Sequence, residues 1–389
     1  METMNVLVVN IGSTSFKFRL FDMADETVLA RGSVEGVGKP DAAVTIRIGD
    51  DPPAVTHQPV PDQAAAVAIC TGGLPCRIDA VGFKAVHGGS IADPTVVTSD
   101  VLRVMEEFAD AVPAHNPPYV AAMRAFQTRM PEVPLVAAFE TGFHQTIPLT
   151  RTTFAVPHEW RTEFGVRRYG FHGASHRYIA VRTAELLGRQ DLRVLSCHLG
   201  GSSSICAIRD GRSVANSFGM TPQSGLPQNN RVGDFDAYAM LLVRARTGMD
   251  LDAMLTAMAG EGGLLGISRL TNDMQKLVEA AQAGHAGAEL ALGVFVESVR
   301  HFIGAYLLAL GGLDVLVFTG GIGERSPEVR RRVCAGLEFV GIRLDPARNE
   351  RGGVEATVSA DGAPVRILAM QTNEELIVAR QTKQVLATR

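Results

Sequence analysis

The five cysteines of this 389-residue chain, Cys70, Cys76, Cys197, Cys206 and Cys334, form no CxxC pair and no even framework. That spacing excludes a disulfide-stapled scaffold, argues against structural zinc and favours reduced thiols in a cytoplasm. The opening METMNVLVVNIGSTS lacks a basic segment, a long apolar stretch and a small-residue cleavage site, so it does not read as a secretory signal. No apolar run reaches the roughly 20 residues that span a bilayer. The longest, residues 302–313, is bounded by Arg300, His301 and Asp314. Positive charge is not in excess either: 37 Lys and Arg face 41 Asp and Glu, for a net charge of −4, which leaves no basic field for nucleic acid. Acidic tracts and low-complexity segments are absent. The expectation is a soluble, cytoplasmic protein with neither a membrane nor a nucleic acid as partner.

At 389 residues the chain exceeds the size at which one hydrophobic core stops growing, which predicts two domains with a cleft between them. Residues 6–9 form an apolar run, residues 11–15 supply turn chemistry, and Phe16, Phe18 and Leu20 then alternate with Lys17 and Arg19: strand, turn, strand. The pattern returns at residues 192–197, with a turn over 198–204, an apolar run over 205–208 and a closing Arg209-Asp210-Gly211. VVNIGSTSF and SCHLGGSSS share a strand, a polar residue at its end, a glycine and hydroxyl-rich turn residues, which predicts an internal duplication. A helix over 175–187 and a buried strand over 314–318 complete an α/β class. Residues 36–63, rich in Pro, Gly and Asp, read as a surface hairpin, and the breaker-rich 146–157 as the hinge. The expected domains are 1–145 with a C-terminal helix 375–389, and 146–374.

Three glycine-bearing segments carry the chemical signal. Residues 10–17, Asn-Ile-Gly-Ser-Thr-Ser-Phe-Lys, can aim backbone N–H groups and hydroxyls at phosphate oxygens, with Lys17 adding a point charge and Asn10 placed to hold a metal or its water. The competing reading is a hydrophilic hairpin turn. Residues 318–325, Phe-Thr-Gly-Gly-Ile-Gly-Glu-Arg, follow a strand and precede a helix start at Ser326-Pro327-Glu328, a strand–turn–helix that makes a nucleotide-sized crevice. Residues 167–176, Arg-Arg-Tyr-Gly-Phe-His-Gly-Ala-Ser-His, set guanidinium and imidazole groups near glycines, which suits an anionic transition state. A metal pair His172/His176 and an ordinary helix start capped by Ser175 compete with that reading. Near the end, Thr372 and Glu375 fit a capping box, which leaves Glu374 as the freer carboxylate.

RRYGFHGASH, FTGGIGE and TNEEL, in this order along nearly the whole chain, resemble the acetate kinase family, part of the acetate and sugar kinase/heat-shock 70/actin superfamily. The resemblance implies two duplicated ribonuclease H-like (actin-like) domains, a homodimer, and phosphoryl transfer between ATP/ADP and a short carboxylate with Mg²⁺. It implies that Asn10 and Glu374 hold Mg²⁺, that Lys17 contacts phosphate, and that His172 and Arg231 stabilise the transferring phosphoryl. Glu140 would orient a metal water or the acceptor. His115 would help line the phosphate site, and Lys84, Val86, Phe171 and Pro222 would receive the acceptor. His198, Gly200, Gly201, Ser202, Asp273, Gln275, Gly321, Ile322, Gly323 and Arg325 would surround the nucleotide.

The chain departs from the family pattern in several places. Lys84 stands for an arginine, and an ammonium cannot reproduce bidentate carboxylate recognition. Glu140 stands for an aspartate. At the nucleotide end, Gly201-Ser202-Ser203, Gln275 and Arg325 replace the usual residues, and the added hydroxymethyl groups are expected to narrow a loop that adenosine approaches closely. A non-ATP donor such as pyrophosphate, a hydroxyl acceptor with Glu140 as base, and a non-catalytic nucleotide-binding regulator therefore stay open at this stage.

Overall fold

The computed structural model describes residues 4–388 and divides the chain into two compact units, one made of the residues up to Gln145 together with those from Asn373 on, the other of Thr146–Thr372. In the first, strands β1 (Asn5–Ile11), β2 (Ser15–Asp22), β3 (Thr27–Glu35), β4 (Lys39–Ile48), β5 (Ala54–Val60), β6 (Ala80–Ala85), β7 (Thr95–Val96) and β8 (Leu135–Phe139) form one sheet in the order β5-β4-β3-β2-β1-β6-β8-β7. The chain returns to this unit at Asn373, two residues ahead of the expected start, because Asn373 caps the closing helix Glu374–Ala387. That helix lies on the β1/β6 face, where Gly82 leaves room: a Cβ there would strike Thr382 of the helix.

Burial explains the strand patterns. β1 is covered on both faces and is apolar throughout its middle, whereas β2 alternates, sending Phe16, Phe18 and Leu20 into the first core and Lys17 and Arg19 to the opposite face. The expected surface hairpin of residues 36–63 is β4 and β5, but it is no appendage. It continues the main sheet through β3.

The second unit holds β9 (Arg193–His198), β10 (Ser204–Arg209), β11 (Arg212–Asn216), β12 (Val315–Thr319), β13 (Ala356–Thr357) and β14 (Arg366–Ala369), in the order β11-β10-β9-β12-β14-β13. Strand for strand this repeats β3-β2-β1-β6-β8-β7. The first three strands run antiparallel, the next two run parallel to the first, and the last turns back antiparallel in both sheets. The duplication read from two short motifs is thus written into the sheet topology. Helix Ala286–Leu310 is, by length and composition alone, long and apolar enough to cross a membrane. Its residues Leu292, Phe295, Val299 and Ile303 are buried in the second core, against β9, β10 and β11.

Candidate active site

In the first unit, the parallel strands β6 and β8 end side by side and bring Lys84 and Glu140 together, while the closing helix starts at Glu374. The Lys84 ammonium pairs with Glu374 Oε2 and lies 3.7 Å from Glu140 Oε1. All three side chains are nearly buried, at 15%, 14% and 6% exposure. Burial alone would pull the lysine pKa down, but the Glu374 and Glu140 carboxylates outweigh it and hold the pKa above the ordinary value. Tyr119, wholly buried, accepts the Ile11 N–H at 2.9 Å and donates to Asn10 Oδ1 at 3.3 Å. Burial pushes its phenol pKa up, with Lys84, Glu140 and Glu374 close enough to act on it. Asn10, Tyr119, Lys84, Glu140 and Glu374 are thus one polar cluster, and nothing in the sequence flagged Tyr119.

The donor atoms offered by Asn10 and Glu374 are oxygens alone, and no group of three or more His, Cys, Asp or Glu gathers among the described residues. That set suits a hard cation that keeps waters and substrate phosphate oxygens, as Mg²⁺ does. The expected capping box is corrected: Asn373, not Thr372, accepts the Leu376 N–H, and Glu375 lies 3.8 Å from Arg19. Lys17 sits opposite Asn10 in register, but its ammonium pairs with Glu35 at 3.3 Å and is half exposed. It shares a cavity of about 410 Å³ with Arg19, Arg31 and Arg47. His115 occupies the N-cap position of helix Asn116–Arg129 without a side-chain cap bond, and Val86 packs against the first core just past β6.

In the second unit, β9 and β12 are parallel neighbours, and the segments leaving them are stitched together. The Ile322 and Gly323 N–H groups both donate to Leu199 O, at 2.8 and 3.1 Å. Gly320 has φ +75°, and any side chain there would strike the Leu199 carbonyl. The run 320–325 is therefore a helical turn (Gly320–Arg325), not the open turn expected from its glycines; helix Pro327–Cys334 follows, capped by Ser326. A cavity of about 670 Å³ lies beside it, lined by Gly200, Gly201, Asp273, Gln275, Gly321, Ile322 and Arg325 from the expected nucleotide set. At Gly321 a Cβ would meet nothing within 4 Å.

His198, Ser202 and Gly323 do not line this cavity. His198 bonds Ser175, Ser202 bonds Arg231, and Gly323 packs on the Phe318 backbone. Ser203 turns back onto its own loop, its hydroxyl donating to Gly200 O and accepting the Gly200 N–H. Neither hydroxymethyl group lines the cavity, against the expected narrowing: Ser202 Oγ accepts from Arg231, and Ser203 Oγ is folded back onto the Gly200 backbone. Sequence reasoning missed Asn229, Glu328 and Glu350 in the wall. It also missed Arg330, fully buried, whose guanidinium donates to Gly323 O, Glu324 O and Asn349 and so fixes the end of the glycine helix.

Arg231 stands two residues from Asn229. Its Nη1 donates to Gln228 Oε1 at 2.9 Å, and to Ser202 Oγ and Pro222 O at 3.2 Å each. Its Nε and Nη2 make no hydrogen bond among the described residues, and burial lowers its pKa from the ordinary value. The loop is held from beneath by Gly263, whose φ is +59° and where any side chain would collide with the Gln228 carbonyl.

His172 takes a left-handed backbone (φ 58°, ψ 32°) at the N-cap of helix Gly173–Leu187, a conformation rare for residues other than glycine and typical of functional positions. It makes no cap bond, and Ser175, one of the expected caps, points instead to His198 Nδ1 at 2.8 Å. The ring centroids of His172 and His198 lie 4.2 Å apart with the planes tilted by 30°, and Phe171 packs edge-to-face on Phe218. His172 and His176 are each bound to serines, which disfavours reading them as a metal pair.

The chain matches the model of the Acetokinase family over residues 5–380. It is 42% identical to an acetate kinase of Geobacillus kaustophilus, with 96% of this chain and 97% of that protein covered. Its structure is similar to that of an acetate kinase from Porphyromonas gingivalis (TM-score 0.92, 34% identity, covering 98% of this chain and 100% of the other). It is also similar to a propionate kinase from Francisella tularensis (TM-score 0.91, 30% identity, covering 98% and 100%).

Proposed function

The chain belongs to the acetokinase family, ATP-dependent kinases that phosphorylate a carboxyl group, and from that premise we propose how its own residues carry the reaction and which acid it takes. A hydroxyl acceptor, a pyrophosphate donor and a non-catalytic binder are not favoured by this membership. The observation that carries the reading is the glycine-floored cavity at the ends of β9 and β12, with Arg231 holding uncommitted donors two residues from its wall.

The nucleotide lies against Gly200, Gly201, Gly321 and Ile322, with Asp273, Gln275 and Arg325 at its polar edge. Arg231 Nε and Nη2 and His172 donate to the equatorial oxygens of the transferring phosphoryl, where charge is spread in the transition state. The acceptor carboxylate is ionised at neutral pH, since carboxyl pKa values lie near about 4, and needs no general base. Lys84 holds that carboxylate as a point charge, and Glu140 keeps the lysine in place. Val86, in the first unit, and Phe171 and Pro222, in the second, are the residues assigned to the acid's apolar end, and a two- or three-carbon acid such as acetate or propionate is the acceptor that the family's named members suggest. Asn10 and Glu374 would hold Mg²⁺, which neutralises phosphate charge when bound, and Lys17 and His115 would serve the phosphate. The product is an acyl phosphate, and the reaction runs in both directions.

We place the enzyme in the cytoplasm, as five free thiols suit, and read it as a homodimer. Helix Ala239–Thr247 has no buried residue although Leu241 and Leu242 are 62% and 61% exposed, a face that needs a cover. The test of the reaction is a donor-by-acceptor matrix read by hydroxylamine trapping of acyl phosphate, expected to be positive for ATP with short acids. Arg231→Ala should cut turnover by roughly two orders of magnitude with a smaller change in KM. A loss confined to KM would show that Arg231 merely binds.

A further inference from the structure

Four side chains around the start of helix Gly173–Leu187 form hydrogen bonds whose direction can be worked out by counting protons. Ser204 Oγ lies 2.8 Å from both His172 Nδ1 and His176 Nε2, and His176 Nδ1 lies 2.9 Å from Ser196 Oγ. Ser196 and His176 are wholly buried, and Ser196 Oγ has no other hydrogen-bond partner among the described residues. A serine hydroxyl has one proton to give, and a neutral imidazole has one N–H and one lone pair.

Only two directions are possible with neutral rings. In the first, Ser196 donates to His176 Nδ1, His176 Nε2–H donates to Ser204, and Ser204 donates to His172 Nδ1. Every buried proton then has an acceptor. In the second, His172 Nδ1–H donates to Ser204, Ser204 to His176 Nε2, and His176 Nδ1–H to Ser196, which strands the Ser196 hydroxyl proton in a buried site. A doubly protonated His176 would put a charge between two hydroxyls at full burial. The first direction therefore wins.

We propose that Ser196, His176 and Ser204 are a directed relay that fixes His172 as the neutral tautomer with its proton on Nε2, so that His172 serves the phosphoryl as a hydrogen-bond donor and not as an imidazolium. Two independent features act the same way. His172 sits at the positive end of a 15-residue helix, where a cation is disfavoured. Its ring also lies 4.2 Å from that of His198, tilted by 30°, so a positive charge on it would face a second imidazole whose Nδ1 is already held by Ser175. A neutral imidazole polarising an oxygen is a known catalytic device. It needs no change of protonation during transfer, so the donor is ready when the phosphoryl arrives. His176, Ser204 and Ser196 are positioning residues. The consequence for transfer rests on the reading of His172 given above, whereas the tautomer does not.

The test uses the full chain labelled with ring-15N histidine, with the His172 signals assigned by their loss in His172→Asn, a residue that tolerates the left-handed backbone. The expected spectrum at pH 7 has a proton on His172 Nε2 and an unprotonated, hydrogen-bonded Nδ1. A proton on Nδ1, or on both nitrogens, overturns the proposal. Kinetics supply the second arm: Ser204→Ala and His176→Leu should each lose on the order of tenfold in kcat with both KM values within about twofold, while His176→Gln, whose amide can still donate to Ser204, should recover most of that loss. Full turnover in His176→Leu, or a loss seen only in KM, overturns the relay's role. If instead the spectrum is as expected and His172→Asn turns over normally, the relay stands and the assignment of His172 to the phosphoryl falls.

Discussion

Lys84 shows how one residue ties the first unit's chemistry to its stability. Its ammonium lies against two nearly buried carboxylates, so removing it takes away the positive charge that both of them face. Lys84→Met should cost about 3 kcal/mol of unfolding free energy, the usual penalty for breaking a buried pair from one side, measured by urea denaturation without substrates. Because the folded pKa is raised, this contribution is complete at neutral pH and fades only as pH climbs past the lysine's ordinary value toward the folded one. An unchanged midpoint would mean that the carboxylates are held by other groups. At this scale the sequence singled out His172 through the guanidinium and imidazole groups set near glycines in residues 167–176, and Arg231 only through the family resemblance. It could not disclose Tyr119, Ser196, Ser204 or Arg330. A serine in an apolar strand looks like any other strand residue until the register sets Ser204 opposite His198 and brings helix Gly173–Leu187 onto it.

Helix Pro327–Cys334 offers the clearest test of how an element is held. Glu328, in its first turn and in the nucleotide wall, accepts Arg331 bidentately at 2.7 and 2.8 Å and Arg332 at 2.6 Å. The Arg331 bonds outweigh the opposing effect of burial, and with Arg332 they hold the carboxyl pKa down from 4.5 to about 2. A lowered folded pKa gives stability that is present above the unfolded value and is lost as pH falls from 4.5 to about 2. Melting curves of Glu328→Gln should therefore lie below those of the parent at pH 7 and converge with them toward pH 2. A gap of constant size would refute the ion pair as its source. Element existence was largely legible, because strand alternation and caps such as Ser326-Pro327 are local. The misjudged details were those where tertiary bonds decide. Leu199 O bends three glycines into a helix, and Asn373 outcompetes its equally plausible neighbour Thr372 as cap.

For the molecule as a whole, the apolar face around Leu241 and Leu242 makes a prediction about assembly. The protein should sediment at twice its 41.5 kDa chain mass, and Leu241→Glu with Leu242→Glu should bring it to the single-chain mass. A wild-type protein already at the single-chain mass would remove the homodimer reading. The repeated sheet was visible beforehand only as two nine-residue likenesses, since the remaining strands kept the topology without keeping the motif. The matching strand orders carry a historical meaning as well. Each copy has its own core and its own loops, and the stretch between β11 and β12, which carries Arg231, is longer than its counterpart between β3 and β6. A change absorbed within one of these cores therefore leaves its twin untouched, so the two copies are free to drift apart at different speeds.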